Sequence, residues 1–231
     1  MRKLTSYMRR SLSFTFADIP LFWRDYLNRK NSWYTVFPHS GLLVFCGSQG
    51  MGKTTSMIDY LYNILQDYPK ARVVTNVDLC MLGFPNEFYT FESIDDLQKY
   101  GNNGLDGVIF VIDEIHLLWN NLESKSITPV EMIEFAQNRK QRRLILGTSQ
   151  RLMRIAKPIR EQLKWVVDCR CYFSMLQRNQ LIDMDEAIES IEGNIEINNA
   201  KTMWFFHDYV VRSSYNTYQK MKRIGGAKWR K

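Results

Sequence analysis

Three short stretches of this 231-residue chain carry the residue types of phosphate chemistry. Gly47, Gly52, Lys53 and Thr54 occupy every fixed position of the pattern G-x-x-x-x-G-K-[ST], with Ser48, Gln49, Gly50 and Met51 between them. Glycines let a backbone wrap closely round an anion, so that its N–H groups, with those of a helix N-terminus, face phosphate oxygens. Lys53 has the reach for β- and γ-phosphates, and the Thr54 hydroxyl suits Mg²⁺. Thr55 and Ser56 continue the helix and are candidates for an α-phosphate contact. Asp113 and Glu114 form the second stretch: Asp113 is the candidate metal-holding carboxylate, and Glu114 the group that orients or deprotonates an attacking water. The third follows the run Leu144 to Leu146: Gly147, Thr148, Ser149 and Gln150. Gln150 has the length to touch a γ-phosphate or the lytic water, with Thr148 and Ser149 as weaker candidates. The expected ligands are ATP and Mg²⁺.

Chemistry of this kind needs strands that end where the ligand sits. Leu42 to Cys46 is an apolar run that stops at Gly47, and from Lys53 the positions Met57, Ile58, Leu61, Ile64 and Leu65 recur at helical spacing. Val108 to Ile112 is the most apolar run and reads as a central strand that delivers Asp113 and Glu114 at its carboxyl end. Arg72 to Thr75, Phe88 to Phe91, Leu144 to Leu146 and Trp165 to Val167 supply further strand candidates. A short helix is expected from Ser93. Another should start at Pro129, with Thr128 as N-cap and Glu131 completing a capping box. Strands alternating with helices predict an α/β fold with a mainly parallel central sheet flanked by helices.

The composition, 45% apolar and 24% charged, excludes a disordered chain, a collagen-like repeat or a coiled coil as a global description. Net charge is +7, unevenly placed. Residues 1–40 hold seven basic and two acidic side chains, and residues 212–231 hold seven basic and none acidic, which leaves an acidic middle. The expected organisation is a basic aromatic extension over 1–40, a nucleotide-binding domain over 41–211 and a basic helix or tail over 212–231. Basic ends on an acidic body suggest a polyanionic partner, nucleic acid or an anionic membrane surface.

Phe14 to Tyr34 interleaves aromatics with Arg24, Arg29 and Lys30. It suits an interfacial membrane contact through residues 1–34, an arm on a neighbouring subunit, or a cover for its own sheet edge. Cys46, Cys80, Cys169 and Cys171 fit no common zinc spacing and read as free thiols of a reducing compartment. No apolar run reaches the ~20 residues of a membrane-spanning helix, and Arg9 and Arg10 interrupt any signal-peptide core. A cytoplasmic or virion-associated protein is expected. A switch-type GTPase is excluded because its base-reading N-K-x-D motif is missing; Asn138 to Gln141 has other residues and precedes a strand.

The phosphate loop, the run Val111 to His116 with Leu118 and Trp119, and Leu146 to Gln150 together resemble the FtsK–HerA superfamily of ring-forming DNA-pumping ATPases. Within it, the chain is similar to the zonular-occludens-toxin-like and viral genome-packaging branch. The resemblance extends through Pro158 to Gln162, Trp165 to Cys171 and Tyr215 to Tyr218, covering roughly residues 41–220. It implies a RecA-like P-loop NTPase with an adjacent catalytic glutamate, self-associated into a hexameric ring. It also implies that an arginine from the next subunit completes each site: Arg160 first, then Arg154 or Arg151. The implied partners are DNA, held sequence-independently through its phosphates, and a capsid vertex or portal protein. Lys220, Lys222, Arg223, Lys228, Arg230 and Lys231 are the electrostatic candidates for DNA, with Trp229 able to stack on a base.

Phage-assembly members of the branch carry a transmembrane helix and a periplasmic portion after the ATPase domain. The chain ends at Lys231 without them, which shifts the expectation to a soluble packaging motor. A membrane-docked assembly or secretion ATPase and a small P-loop nucleotide or metabolite kinase are the alternatives. A nucleotide-binding scaffold with vestigial hydrolysis is disfavoured by the intact Lys53, Asp113 and Glu114.

Overall fold

The computed structural model describes residues 36–79, 84–122, 127–184, 188–189, 195–196 and 200–215. The N-terminal aromatic segment up to residue 35, Cys80 and the basic tail from residue 216 lie outside the described residues.

The apolar run Gly41–Cys46 forms strand β1, and the chain turns through the glycine loop into helix α1, Lys53–Asp67. Arg72–Thr75 is β2, Phe88–Thr90 is β3 and Asp96–Tyr100 is the short helix α2. Strand β4, Val108–Ile112, is buried along its whole length, as its unbroken run of branched and aromatic residues requires. A 3-10 turn at Ile115–Leu117, helix α3 at Pro129–Ala136 and strand β5 at Arg143–Ser149 follow. A second 3-10 turn, Leu152–Arg154, and helix α4, Lys157–Arg160, lead to β6, Leu163–Tyr172. The remaining elements are β7 (Leu176–Asp183), β8 (Ile188–Glu189), β9 (Ile195–Glu196), β10 (Lys201–Phe206) and α5 (Tyr209–Ser213).

Six strands run parallel in the spatial order β6-β1-β5-β4-β2-β3; β7 and then β10 extend the sheet beyond β6 as antiparallel strands. Among the described residues, β8 and β9 pair with each other as a separate two-stranded sheet. β2 lies on the far side of β4 from β1. The strand between β1 and β4 is β5, which follows the acidic pair in sequence. This order sets the carboxyl ends of β1, β5 and β4 side by side.

Two apolar layers hold the sheet. On one face Met57, Ile58, Leu61 and Leu65 of α1 pack on Leu43, Phe45, Val111 and Leu146. On the other, Val44, Phe110 and Ile145 meet Trp119, Phe135, Ile155 and Ile159. The Trp119 carbonyl accepts from the Ala156 N–H at 2.9 Å, tying the segment after β4 to the one after β5. Thr128 and Glu131 form the expected capping box: the Glu131 N–H donates to Thr128 Oγ1 at 3.3 Å, and the Thr128 N–H donates to Glu131 Oε2 at 2.6 Å. Thr128→Ala should therefore cost about 1 kcal/mol, read as a lower urea midpoint at unchanged slope. Among the described residues, no helix is long and apolar enough to cross a membrane.

Candidate nucleotide site

Helix α1 begins without a side-chain cap and without acidic residues in its first turn. Its leading N–H groups thus have no internal competitor for an anion. Gly52 stands at the N-cap with φ 70, and a Cβ there would come within 2.2 Å of Gln177 Oε1. Both the left-handed backbone and the close approach call for glycine. Lys53 is buried, and its Nζ donates to the Ser48 carbonyl at 3.1 Å, so the ammonium group is held over its own loop.

Across the crevice Asp113 gathers three elements. Its Oδ1 accepts from Thr54 Oγ1 at 3.1 Å and from Thr148 Oγ1, while Thr148 Oγ1 accepts in turn from the Glu114 N–H at 2.8 Å. The Asp113 N–H donates to Asn76 Oδ1 at 2.8 Å, and Asn76 Nδ2 donates back to the Asp113 carbonyl at 3.1 Å. Thr148, ranked below Gln150 on sequence grounds, is thus the residue of β5 that joins the acidic pair directly. Asn76 was not picked out at all; its only signal is an amide side chain just past the short strand β2.

Glu114 has left-handed backbone angles, φ 53 and ψ 49. Burial and the neighbouring Asp113 charge raise its pKa, opposed by Lys53, by a hydrogen bond from Gln150 and by Arg154. His116 is buried, with Nδ1 3.2 Å from Glu114 Oε2 and 3.3 Å from Ser149 Oγ. Burial lowers the His116 pKa, with Arg154 and Lys53 adding to it, so the imidazole is held neutral. Gln150 lies at the acidic pair through its hydrogen bond to Glu114.

The three candidate arginines part company. Arg154 Nη1 donates to Gln150 Oε1 at 2.8 Å, which places its charge beside its own chain's site. Arg160 Nη1 points to Met153 Sδ at 2.8 Å, and Arg151 is exposed at the start of the second 3-10 turn.

The loop is also braced from behind, by residues with no motif to reveal them. Gln177 Nε2 donates to the Met51 carbonyl at 3.1 Å and to Asn179 Oδ1 at 3.0 Å, and Gln177 Oε1 lies 3.0 Å from His207 Nε2. Ser56 Oγ donates to Asn179 Oδ1 at 3.1 Å, and Thr55 Oγ1 lies 2.6 Å from Tyr215 Oη. The side chains of Thr55 and Ser56 are engaged by this brace, so any phosphate contact there falls to backbone N–H groups. Cys46 and Cys169 are buried free thiols; burial raises Cys46 to about 12 and pushes Cys169 up as well. Cys171 is a half-buried free thiol.

No family model matches the chain, and no curated protein sequence matches it. Among solved structures, it superimposes on the N-terminal domain of zonular occludens toxin from Neisseria meningitidis with a TM-score of 0.56 at 16% identity. That match covers 77% of this chain and 99% of the other. The genome packaging NTPase B204 from Sulfolobus turreted icosahedral virus 2, solved in complex with ATP-gammaS, gives a TM-score of 0.47 at 12% identity. It covers 69% of this chain and 97% of that one. The fold is that of a P-loop NTPase, similar to the zonular occludens toxin domain, which the sequence motifs led one to expect.

Proposed function

We propose that the chain is an ATP-hydrolysing motor that translocates DNA, as in viral genome packaging. One observation carries the hydrolytic part: Asp113 Oδ1 is joined to Thr54 of the phosphate loop and to Thr148 of β5, with Glu114 adjoining. The oxygens of Thr54 and Asp113 are hard donors that fit Mg²⁺, and residues 47–53 with α1 fit a triphosphate. When bound, Mg²⁺ would neutralise charge that develops on the triphosphate. Lys53 and the loop N–H groups hold the phosphates in line. Gln150 and the raised-pKa Glu114 face the position of the attacking water, and Glu114 takes its proton. The half-buried crevice keeps these groups in fixed orientation, which is most of what phosphoryl transfer asks of a protein.

The DNA part is supported by the family resemblance of the sequence and by its charge distribution. On this reading copies assemble into a ring, taken as a hexamer. Arg160 or Arg151 reaches the neighbour's site as the trans finger, while Arg154 acts within its own subunit. DNA and a capsid vertex or portal are the partners, and residues 220–231 add sequence-independent phosphate contacts. The test is turnover by the purified chain with and without DNA. ATP hydrolysis accelerated severalfold by DNA is expected. Transfer of the phosphoryl group to a small acceptor would overturn the motor in favour of a kinase.

A further inference from the structure

The three strands that brace the phosphate loop have a second face. In the antiparallel wing β6-β7-β10, Arg170 stands opposite Arg178, and Arg178 opposite Trp204. One row over, Tyr172 and Phe206 flank Leu176. Directly opposed residues share a face, so both rows lie together. Their intervening neighbours, including Gln177 and Asn179, turn to the phosphate loop. The Tyr172 and Trp204 rings stack with centroids 5.7 Å apart at 27°. Phe206 is 67% exposed, and Phe173, at the tip of the β6–β7 hairpin, is 89% exposed.

Two arginines opposed across a strand pair are destabilising unless something anionic offsets them. Among the described residues one carboxylate is at hand: Arg170 Nε donates to Asp168 Oδ2 at 3.2 Å, while Arg178 Nη2 donates to the neutral Gln180 Oε1 at 2.9 Å. The row therefore keeps a positive charge beside exposed aromatic faces. Phe173 and Ser174 both have left-handed backbones, φ 51 and 57, a conformation costing non-glycine residues about 1–2 kcal/mol each. The hairpin carries that strain while it holds Phe173 out into solvent.

We propose that this outer face of the β6-β7-β10 wing binds single-stranded nucleic acid. Arg170 and Arg178 contact its phosphates, and Trp204, Tyr172, Phe206 and Phe173 supply stacking surface for bases. A single strand fits better than a duplex because aromatic side chains stack only on bases whose faces are free. A second copy of the chain would have to bring its own anionic group to the arginine row. The inference deepens the motor reading by giving it a polymer contact, and it rests on that reading only for the choice of DNA over RNA.

The test uses the full chain without nucleotide, so that it does not depend on turnover. Fluorescence anisotropy compares a labelled oligothymidine of about twenty nucleotides with a labelled hairpin duplex of similar charge. The single strand should bind about tenfold more tightly. Trp204→Ala should weaken it about tenfold, Trp204→Phe should retain most of the affinity, and the DNA-free ATP turnover of each variant should match the parent. Arg170→Gln with Arg178→Gln should flatten the logarithmic salt slope by about 1.4. Equal affinity for strand and duplex, unmoved by Trp204→Ala, would overturn the proposal. So would Trp204→Ala changing the sedimentation coefficient while oligonucleotide affinity stays constant, since that assigns the face to a second copy. Absence of ATP turnover with the oligonucleotide results as expected would instead sink the motor and leave the face standing.

Discussion

Glu114→Gln should lower ATP turnover by about 10²–10⁴-fold while ATP binding stays within a few-fold of the parent. The amide matches the carboxylate in shape, so the left-handed turn at residue 114 and the hydrogen bond from its N–H to Thr148 Oγ1 are kept. What is lost is a base placed beside Asp113, raised in pKa by burial and by that neighbour. A raised carboxylate is a stronger proton acceptor than an ordinary one, and Gln150 and the neutral His116 keep it in place without fully satisfying it. Single-turnover hydrolysis and equilibrium binding of labelled ATP separate the two effects. Unchanged turnover would remove Glu114 from catalysis.

Lys53→Ala should abolish measurable hydrolysis and weaken ATP binding by about 10–100-fold, the size of a lost charge-assisted hydrogen bond. The ammonium group is buried and already held at the Ser48 carbonyl, so little ordering remains to be done when a triphosphate arrives. Alanine leaves the fold intact because Lys53 opens α1 and carries no part of the apolar layer beneath it. Titration calorimetry with a non-hydrolysable ATP analogue reads the affinity. Retained hydrolysis would mean that the glycine loop is not the site of turnover.

The parts of the molecule that could be read in advance are those where local chemistry and global fold agree. β1, β4 and α1 follow from apolar runs bounded by glycine and acid, and the start of α3 from the Thr128 and Glu131 pair. In the wing β6 was legible from Trp165 to Val167, but β7 was not, for a physical reason: its positions that face inward are Gln177 and Asn179, both buried. Polar residues at core positions erase the alternation that marks a strand. They are there because the surface they cover is the polar backbone of the phosphate loop. Asn76 was invisible likewise, since a lone amide bonded to the backbone of a residue 37 positions away leaves no periodic trace. Arg160 was ranked ahead of Arg154 because nothing in the spacing shows that the 3-10 turn Leu152–Arg154 brings the Arg154 guanidinium to Gln150.

The brace behind the loop also bears on how the protein is made. Met51 meets Gln177 across 126 positions and Thr55 meets Tyr215 across 160. A ribosome extending this chain completes the glycine loop well before the residues that pin it. Until then the nascent loop has its motif but not its support, and contacts of such sequence separation form late and slowly. Competence to grip a triphosphate is therefore acquired only once Gln177 and Tyr215 have been made and have folded back, long after the glycine loop itself.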